Sequence, residues 1–478
     1  MYKLFYKPED GWAADIIPFY KNDEFILFYL HDWRDIAGHG EGVEWRQIRT
    51  EDFIKYTEYG ASLPRGKRDE QDLYVFTGSV IESDGRFHIY YTGHNPHFRE
   101  HGLNEEAIMH AESSDLVTWS KKPQDTIYAP EDLYEKHDWR DPLVYFCEED
   151  KKYYMLITAR EKQGGELCRG CTALSVSKDL RDWETKKPVW TPGLYYAHEC
   201  QDIFNIGNEW KMVFSEFTDK CRIRYVNGKS PLGPYHSPKD PYFDGRAFYA
   251  AKTYSDGEKR YIFGWIPTRE GDNDGGAWMW GGNLAVHEVY ADKNCDLRVR
   301  EPESIRGHFR NKYPPDLIAT SGRLIEENNQ QILAPGSSAR LMALGDMPSG
   351  SCWRLDGRIS FDTDVNDFGL LLRYNEETGS AYEYLFSVGE NRLSFDYWPR
   401  NPWKDINHFT GLDRTVMLDQ TNEVSFTLLV DDDVCVLYVN DEIALSSRMC
   451  TALSKKWGIF AIGGIIKISG LEVAEFQD

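Results

Sequence analysis

The chain has 478 residues, more than one hydrophobic core usually supports, so two domains are expected. An apolar share of 41% with 29 Tyr, 24 Phe and 15 Trp excludes a disordered polymer, which is poor in aromatics. A formal charge of −23 without a compensating basic run repels phosphate backbones and anionic bilayers, so neither nucleic acid nor a membrane is expected as a partner.

Met1 to Lys7 lacks the basic start and apolar run of a secretory leader, and nowhere do 18 apolar residues follow one another, so the expected location is the cytoplasm. Nine cysteines, an odd count, argue for reduced thiols. Cys168-Arg169-Gly170-Cys171 has no second pair at finger spacing and reads as a hairpin that happens to hold two thiols. Nothing has the pattern of a metal cluster, a phosphate-cradling loop or a Ser-His-Asp set, and no cofactor or metal is expected.

From the start to about residue 300 one phrase recurs: a short aromatic and β-branched run, a polar turn, then a second run. The turns are Lys21-Asn22-Asp23, Asp84-Gly85, Asp150-Lys151, Gly207-Asn208-Glu209 and Asp256-Gly257, each a hairpin signal. Starts near 16, 79, 143, 203 and 249 give a period of roughly 45 to 65 residues, the scale on which four-stranded units build a propeller. Ser114 to Trp119 and Ser177 to Trp183 read as turns that close two such units. After Pro302 the texture becomes polar, with Pro314-Pro315 and Glu326 to Gln331. From about 332 alternating runs such as Val424 to Val430 and Val434 to Val439 follow at the spacing of a β-sandwich. No long helix is expected. The reading is all-β: a five-bladed β-propeller over 1–306, a linker over 307–331 and a C-terminal β-sandwich over 332–478.

Three carboxylates stand in strand-like, apolar surroundings: Asp15, Asp141 in Trp139-Arg140-Asp141-Pro142, and Glu199 in His198-Glu199-Cys200-Gln201. Such groups lose hydration and their pKa rises, which marks them as site candidates. Each is expected at the beginning of a leading strand in a different unit, where a propeller gathers distant residues at one funnel. Two carboxylates across a glycosidic bond, one ionised and one protonated, are the minimum for hydrolysis, and a third orients the sugar.

These residues resemble glycoside hydrolase family 32, the β-fructofuranosidase group of invertases, inulinases and levanases, over nearly the whole chain. Arg140-Asp141-Pro142 is similar to the family's Arg-Asp-Pro motif, Glu199-Cys200 to its Glu-Cys motif, and Phe76-Thr77-Gly78-Ser79 to its aromatic-Ser-Gly-Ser element. Gly264-Trp265 matches a fifth-blade Gly-Trp, and Leu428 to Asn440 a segment of the sandwich domain. The resemblance implies the propeller-plus-sandwich fold and a retaining hydrolase of short β-fructofuranosides. It assigns Asp15 as nucleophile, Glu199 as general acid/base and Asp141 as the carboxylate that holds sugar hydroxyls. Arg140, Phe76 and Ser79 are expected to line the substrate site.

The chain departs from the family at the nucleophile, where Ala14-Asp15-Ile16-Ile17-Pro18 stands for Asn-Asp-Pro-Asn-Gly. Leu30-His31-Asp32-Trp33 likewise stands where the family often has Gln-His-Asn-Pro. Lost polar partners cost a hydroxyl-recognition site much of its discrimination, so another furanoside such as an arabinoside, or a non-catalytic carbohydrate-binding propeller, stays open. His31 and Asp32 are expected at the funnel, Trp280 as a stacking platform with rim packing as the alternative, and His198 as a neighbour that tunes Glu199 or simply packs. The sandwich is expected to buttress the propeller, to bind sugar or to mediate a homodimer.

Overall fold

The computed structural model describes residues 2–218, 220–328, 330–399, 412–451 and 454–477. Among them the regular structure is almost entirely strand; the helical pieces are two four-residue turns, Ile36–His39 and Glu303–Arg306, and short 3-10 segments. No helix of the described residues is long and apolar enough to cross a membrane. The chain divides into two compact units: Met1–Tyr242, Phe248–Trp265 and Gly281–Leu297 in the first, and Phe243–Ala247, Ile266–Trp280 and Arg298–Asp478 in the second.

The first unit is a series of antiparallel meanders. Strands β1 (Trp12–Lys21), β2 (Glu24–Asp32), β3 (Glu44–Thr50) and β4 (Thr57–Leu63) form one. Strands β5 (Tyr74–Ser83), β6 (Arg86–His94), β7 (Glu106–Ser113) and β8 (Ser120–Lys121) form the next. Then come β9 (Tyr134–Cys147), β10 (Lys152–Glu161), β11 (Gly170–Ser177) and β12 (Trp183–Trp190), followed by β13 (Ala197–Ile206), β14 (Glu209–Phe217), β15 (Ile223–Gly228) and β16 (Tyr235–His236). The last set is β17 (Tyr249–Ser255), β18 (Arg260–Arg269) and β19 (Trp278–Ala291).

All five hairpins expected from the sequence are present. Their turns hold Asn22, Asp23, Asp84 and Asn208 at positive φ, which short-armed polar side chains tolerate and tight hairpin turns require. The fifth set does not stand apart. Ala13 of β1 pairs with Gly282 of β19, so the first and last sets make one sheet. β19 escaped the sequence reading because its start, Trp278-Met279-Trp280-Gly281-Gly282, does not alternate. The Ser114 and Ser177 elements are turns in which the Asp115 and Asp179 carboxylates each accept two backbone N–H groups.

Between β6 and β7 on one side and β9 to β11 on the other, buried Tyr90, Ile108, Trp139, Met155 and Ala173 form a dense core cluster. It fixes the strand that carries Asp141. The nine cysteines are all free; Cys168 is exposed and Cys171 buried.

The second unit contains an eight-stranded and a seven-stranded antiparallel sheet. In one, Ile466–Glu475 pairs with both Gln330–Ala334 and Cys352–Phe361; in the other, Lys456–Ile462 pairs with both Arg340–Asp346 and Asp367–Leu372. Trp353 and Trp457 are fully buried in them. Residues 307–331, expected as a linker, hold the strands Lys312–Tyr313, Ile318–Ser321 and Arg323–Glu327, which pair into these sheets. Short polar strands at a sheet edge look like linker in sequence because half their faces are wet.

Gly369, in Asp367–Leu372, has no room for a side chain: a Cβ there would stand 1.9 Å from the carbonyl oxygen of Tyr384. Gly369→Ala is expected to lower stability by about 1–3 kcal/mol, the usual cost of forcing atoms into a packed interior. Urea unfolding of both proteins measures it, and an unchanged midpoint would refute the close approach.

Candidate active site

Side chains of a strand alternate in direction, so the phase of a whole strand changes if one residue is inserted on one side of a ladder. The leading strand of each of the five hairpins carries one such extra residue. Pairing jumps from Ala14 to Ile17 in β1, from Phe76 to Gly78 in β5, from Arg140 to Leu143 in β9, from Glu199 to Asp202 in β13 and from Tyr249 to Lys252 in β17. Four of the bulges hold a non-glycine residue in left-handed backbone: Asp15 (φ 39°), Asp141 (55°), Cys200 (54°) and Ala250 (48°). The acids therefore do not begin their strands, as expected from sequence; Asp141 lies eight residues into β9. They sit at or beside bulges, which re-aim side chains and are common next to active sites.

Asp15 accepts hydrogen bonds from Thr77 Oγ1 at 2.5 Å and from Trp265 Nε1 at 3.0 Å. Burial, reinforced by the Asp141 charge, pushes its pKa to about 6, while the Thr77 and Trp265 bonds and the Lys252 charge hold it down. Asp141 is buried; its Oδ2 accepts from the Cys200 N–H at 2.9 Å and Thr158 Oγ1 at 3.1 Å, and its own N–H donates to Thr92 Oγ1 at 2.8 Å. Its pKa is raised by burial despite the pull of Arg140, the Cys200 N–H and Lys252.

Glu199 is held at both oxygens. Oε1 accepts from Arg140 Nε and Nη2, both at 3.3 Å, and Oε2 from the Tyr249 phenol at 2.9 Å. Burial raises its pKa to about 7, with the Asp141 and Asp15 charges adding and Arg140 and Tyr249 opposing. Its side chain keeps 17% exposure, so it is enclosed yet open to a ligand. Arg140 is fixed from behind: Nη1 donates to Glu106 Oε2 at 3.1 Å and Asp138 Oδ1 at 3.2 Å. Burial alone would raise the Glu106 pKa, but Arg140, His94 and the Trp139 N–H bring it down to about 2.

The structure thus brings Asp15, Asp141, Glu199 and Arg140 into one electrostatic set. Other expected residues lie elsewhere. Ser79 is buried, its Oγ accepts the Val144 N–H at 2.9 Å, and it lines a 540 Å³ cavity with the residues that follow the bulges, among them Ile17, Leu143, Asp202 and Lys252. His198 points away from Glu199 into a cage of Trp190, Tyr195 and Phe214, where burial drops its pKa to about 3; it packs as a neutral ring. His31 is also fully buried and held neutral by burial, with its pKa lowered to about 4, 3.4 Å from Asp10 and against Trp33. Asp32 accepts from the Arg34 N–H and Nε, and Phe76 stacks on His94. Trp280 is the third residue of β19 and belongs to the second compact unit.

Thr77, Trp265, Tyr249, Thr158 and Glu106 were missing from the sequence-derived site. A signal for three of them existed. Thr77 lies inside the quoted Phe76-Thr77-Gly78-Ser79 element and Trp265 inside Gly264-Trp265. Tyr249 directly precedes its bulge as Glu199 and Arg140 precede theirs, so aligning the hairpins with one another would have exposed it.

Residues 5–288 match the model of the glycosyl hydrolases family 32 N-terminal domain, and residues 321–475 that of the family 32 C-terminal domain. The chain is 22% identical to a sucrose-6-phosphate hydrolase of Escherichia coli over 469 residues, covering 92% of this chain and 87% of that protein. It is 24% identical to a raffinose invertase of Escherichia coli over 491 residues, covering 97% and 92%. Among solved structures, exo-inulinase from Aspergillus awamori superposes with a TM-score of 0.76 at 16% identity, over 99% of this chain and 98% of that one. A sucrose-6-phosphate hydrolase from Lactobacillus gasseri does so with a TM-score of 0.75 at 16% identity, over 100% and 93%; at such identity the likeness carries the fold alone. With both of its domain models matched in order along a chain that places the Arg-Asp-Pro and Glu-Cys acids together, the protein belongs to glycosyl hydrolase family 32, a family of glycoside hydrolases.

Proposed function

We propose that the chain is a retaining glycoside hydrolase that cleaves terminal β-fructofuranosyl bonds of short oligosaccharides, sucrose and fructo-oligosaccharides first. The observation that carries this reading is the split environment of Asp15 and Glu199, two enclosed carboxylates of one site, both raised by burial and held by different hydrogen-bond partners. Asp15, fixed by Thr77 and Trp265, attacks the anomeric carbon as an anion. Glu199 gives its proton to the departing glycosidic oxygen, and the fructosyl group is left as an ester of Asp15. Glu199, now a base, takes a proton from water; the water oxygen attacks the anomeric carbon, Asp15 leaves as carboxylate and the enzyme is restored. Asp141 holds sugar hydroxyls and stabilises the cationic ring of the transition state. Arg140 and Tyr249 pin the two oxygens of Glu199, so that its proton is presented in one direction.

The proposed scaffold is a five-bladed propeller whose fifth blade is β17 to β19, followed by a β-sandwich built from the two sheets of the second unit. Nine free cysteines support a reducing compartment, the cytoplasm. Bound substrate is a small carbohydrate. A second reading, another furanoside such as an arabinoside, is favoured by Ala14 and Ile16 flanking Asp15, which leave it without neighbouring amides. Release of fructose from sucrose, sucrose 6-phosphate or short inulins supports the first reading; release of arabinose from arabinosides, with none of these fructosides cleaved, replaces it.

Asp15→Asn and Glu199→Gln are each expected to lower kcat by about 10³-fold or more, since the groups act as a unit. Turnover within tenfold of the parent for either variant would sink the assignment.

The pH profile of kcat/KM is expected to be a narrow bell. Activity falls as pH drops through about 6, where Asp15 takes up a proton, and falls again as pH rises through about 7, where Glu199 loses its own. Tyr249→Phe removes a bond that favours the Glu199 anion, so its basic limb moves to higher pH while the acid limb stays. An unmoved basic limb would refute the role of the phenol.

A further inference from the structure

Outside the carboxylate set, β6 and β7 present a second group of polar side chains on one sheet face. His88 stands directly across the ladder from Glu112, and Tyr90 across from His110. Residues two apart on a strand share a face, so His88, His110 and Glu112 converge from neighbouring strands without any loop to position them. One ligating atom of each lies within 4.8 Å of the others. His88 Nδ1 and His110 Nε2 are 3.0 Å apart.

The proton positions follow from the partners. His110 Nδ1 faces Asp125 Oδ2 at 2.7 Å, and a carboxylate accepts, so Nδ1 carries the hydrogen and Nε2 is left with its lone pair. His88 Nδ1–H therefore donates to His110 Nε2. A ligand imidazole whose second nitrogen donates to a carboxylate is the arrangement by which proteins fix the tautomer of a metal-binding histidine. The Tyr90 ring stacks on His110 at 4.7 Å with 8° between planes and fixes its tilt. Two nitrogens on one tetrahedral zinc at about 2.0–2.1 Å are about 3.3 Å apart, close to the spacing here. Glu112 completes the set: Lys122 at 3.4 Å and Arg86 at 3.8 Å both approach its Oε2, which leaves Oε1 free of ion pairs among the described residues.

We propose that His88, His110 and Glu112 form a binding site for one divalent transition-metal ion of the zinc class, with Asp125 as the outer partner of His110. When the ion takes both lone pairs, the hydrogen on His88 Nδ1 moves to Nε2 and no proton is lost overall; each ring turns slightly so that the two lone pairs converge. Two imidazoles and one carboxylate suit zinc, cobalt(II) or nickel(II) over magnesium or calcium, which prefer all-oxygen ligands. Three protein ligands leave a fourth position for water. The bound ion ties β6, β7 and the Pro123–Asp125 turn together, so its effect is on stability, and the hydrolytic acids are untouched by it.

The test is calorimetric titration of zinc chloride into tag-free, chelator-treated full-length protein, with cobalt(II) absorption as a second readout. One ion per chain is expected, with tetrahedral cobalt bands and a higher thermal midpoint in the presence of zinc. Asp125→Asn is expected to weaken binding about 10–100-fold, the usual cost of losing a ligand's carboxylate partner. His88→Gln and the partly exposed Glu112→Gln should abolish both the cobalt bands and the zinc-dependent rise. Circular dichroism of the ion-free variants separates lost binding from lost fold, and Glu112→Gln, on the surface of the face, keeps the test decisive if a histidine variant misfolds. Absence of binding in the parent, or parental affinity in His88→Gln and Glu112→Gln, would overturn the site.

Discussion

One extra residue in the leading strand of each hairpin is the constraint on which the site depends. Without the insertion, strict alternation would send Asp15, Asp141 and the residues beside Glu199 to faces set by the apolar pattern of the strand. With it, residues before and after the bulge can both satisfy their burial while the bulged residue turns a side chain elsewhere. The conformational cost is about 1–2 kcal/mol for each non-glycine residue in left-handed backbone. Side chains of adjacent strands offset it by bonding across the bulges: Thr77 to Asp15, Ser79 to Val144 N–H, Asp141 to Cys200 N–H, Lys252 to the Gln201 carbonyl, and Trp265 back to Asp15. The carboxylates proposed as catalytic are thus also hydrogen-bond acceptors that hold neighbouring strands at this level.

That double duty explains the electrostatics. Three carboxylates enclosed together repel one another, and burial resists all of their charges. Arg140 is the counter-charge, yet an arginine serving Glu199 alone would keep that group ionised. Glu106 and Asp138 divide its attention, and Glu106, with its pKa near 2, is the permanent anion that pairs with it. Glu199 then meets a guanidinium already partly neutralised, and burial wins, at about 7. Asp15 is held by other groups: a hydroxyl, an indole N–H and a more distant ammonium stabilise its anion against burial, and its pKa is about 6. Burial thus raises both groups, and they differ in their neighbours: Glu199 meets a shared guanidinium and a phenol, Asp15 a hydroxyl and an indole N–H.

The hairpins were legible in the sequence because Asp-Gly, Asn-Asp and Gly-Asn turns between alternating runs have few other solutions. The three acids were legible because charge between Ala, Ile, Trp and Phe is costly. The bulges were not, since counting alternation on one strand cannot reveal that its partner is one residue short. That omission hid Tyr249 and Thr77. His31, expected at the funnel, is fully buried, and of the two readings of His198 its surroundings support packing: adjacency to an acid or a motif in sequence says nothing of direction, and neighbours on a strand face opposite ways. β19 was missed because its pairing with Ala13 joins residues far apart along the chain, a relation that no local pattern carries.

The same geometry bears on the sugar. Trp12 to Ala14 are ladder residues paired with Asp32, His31 and Leu30, so the segment before Asp15 is a strand and cannot reshape itself to supply the amides it lacks. Under the proposed function, polar recognition on this side comes from groups outside that segment. Two cations lie near the Trp12 ring: the Lys7 ammonium at 4.3 Å and the Arg34 guanidinium at 4.9 Å, and Arg34 is in turn braced by Asp32 and the Gly281 carbonyl. Under the proposed roles, the bond-breaking residues rest on bulges that the fold needs for its own cohesion, whereas recognition rests on a strand surface free to vary. Under those roles, the reaction and the choice of sugar are carried by different parts of the chain.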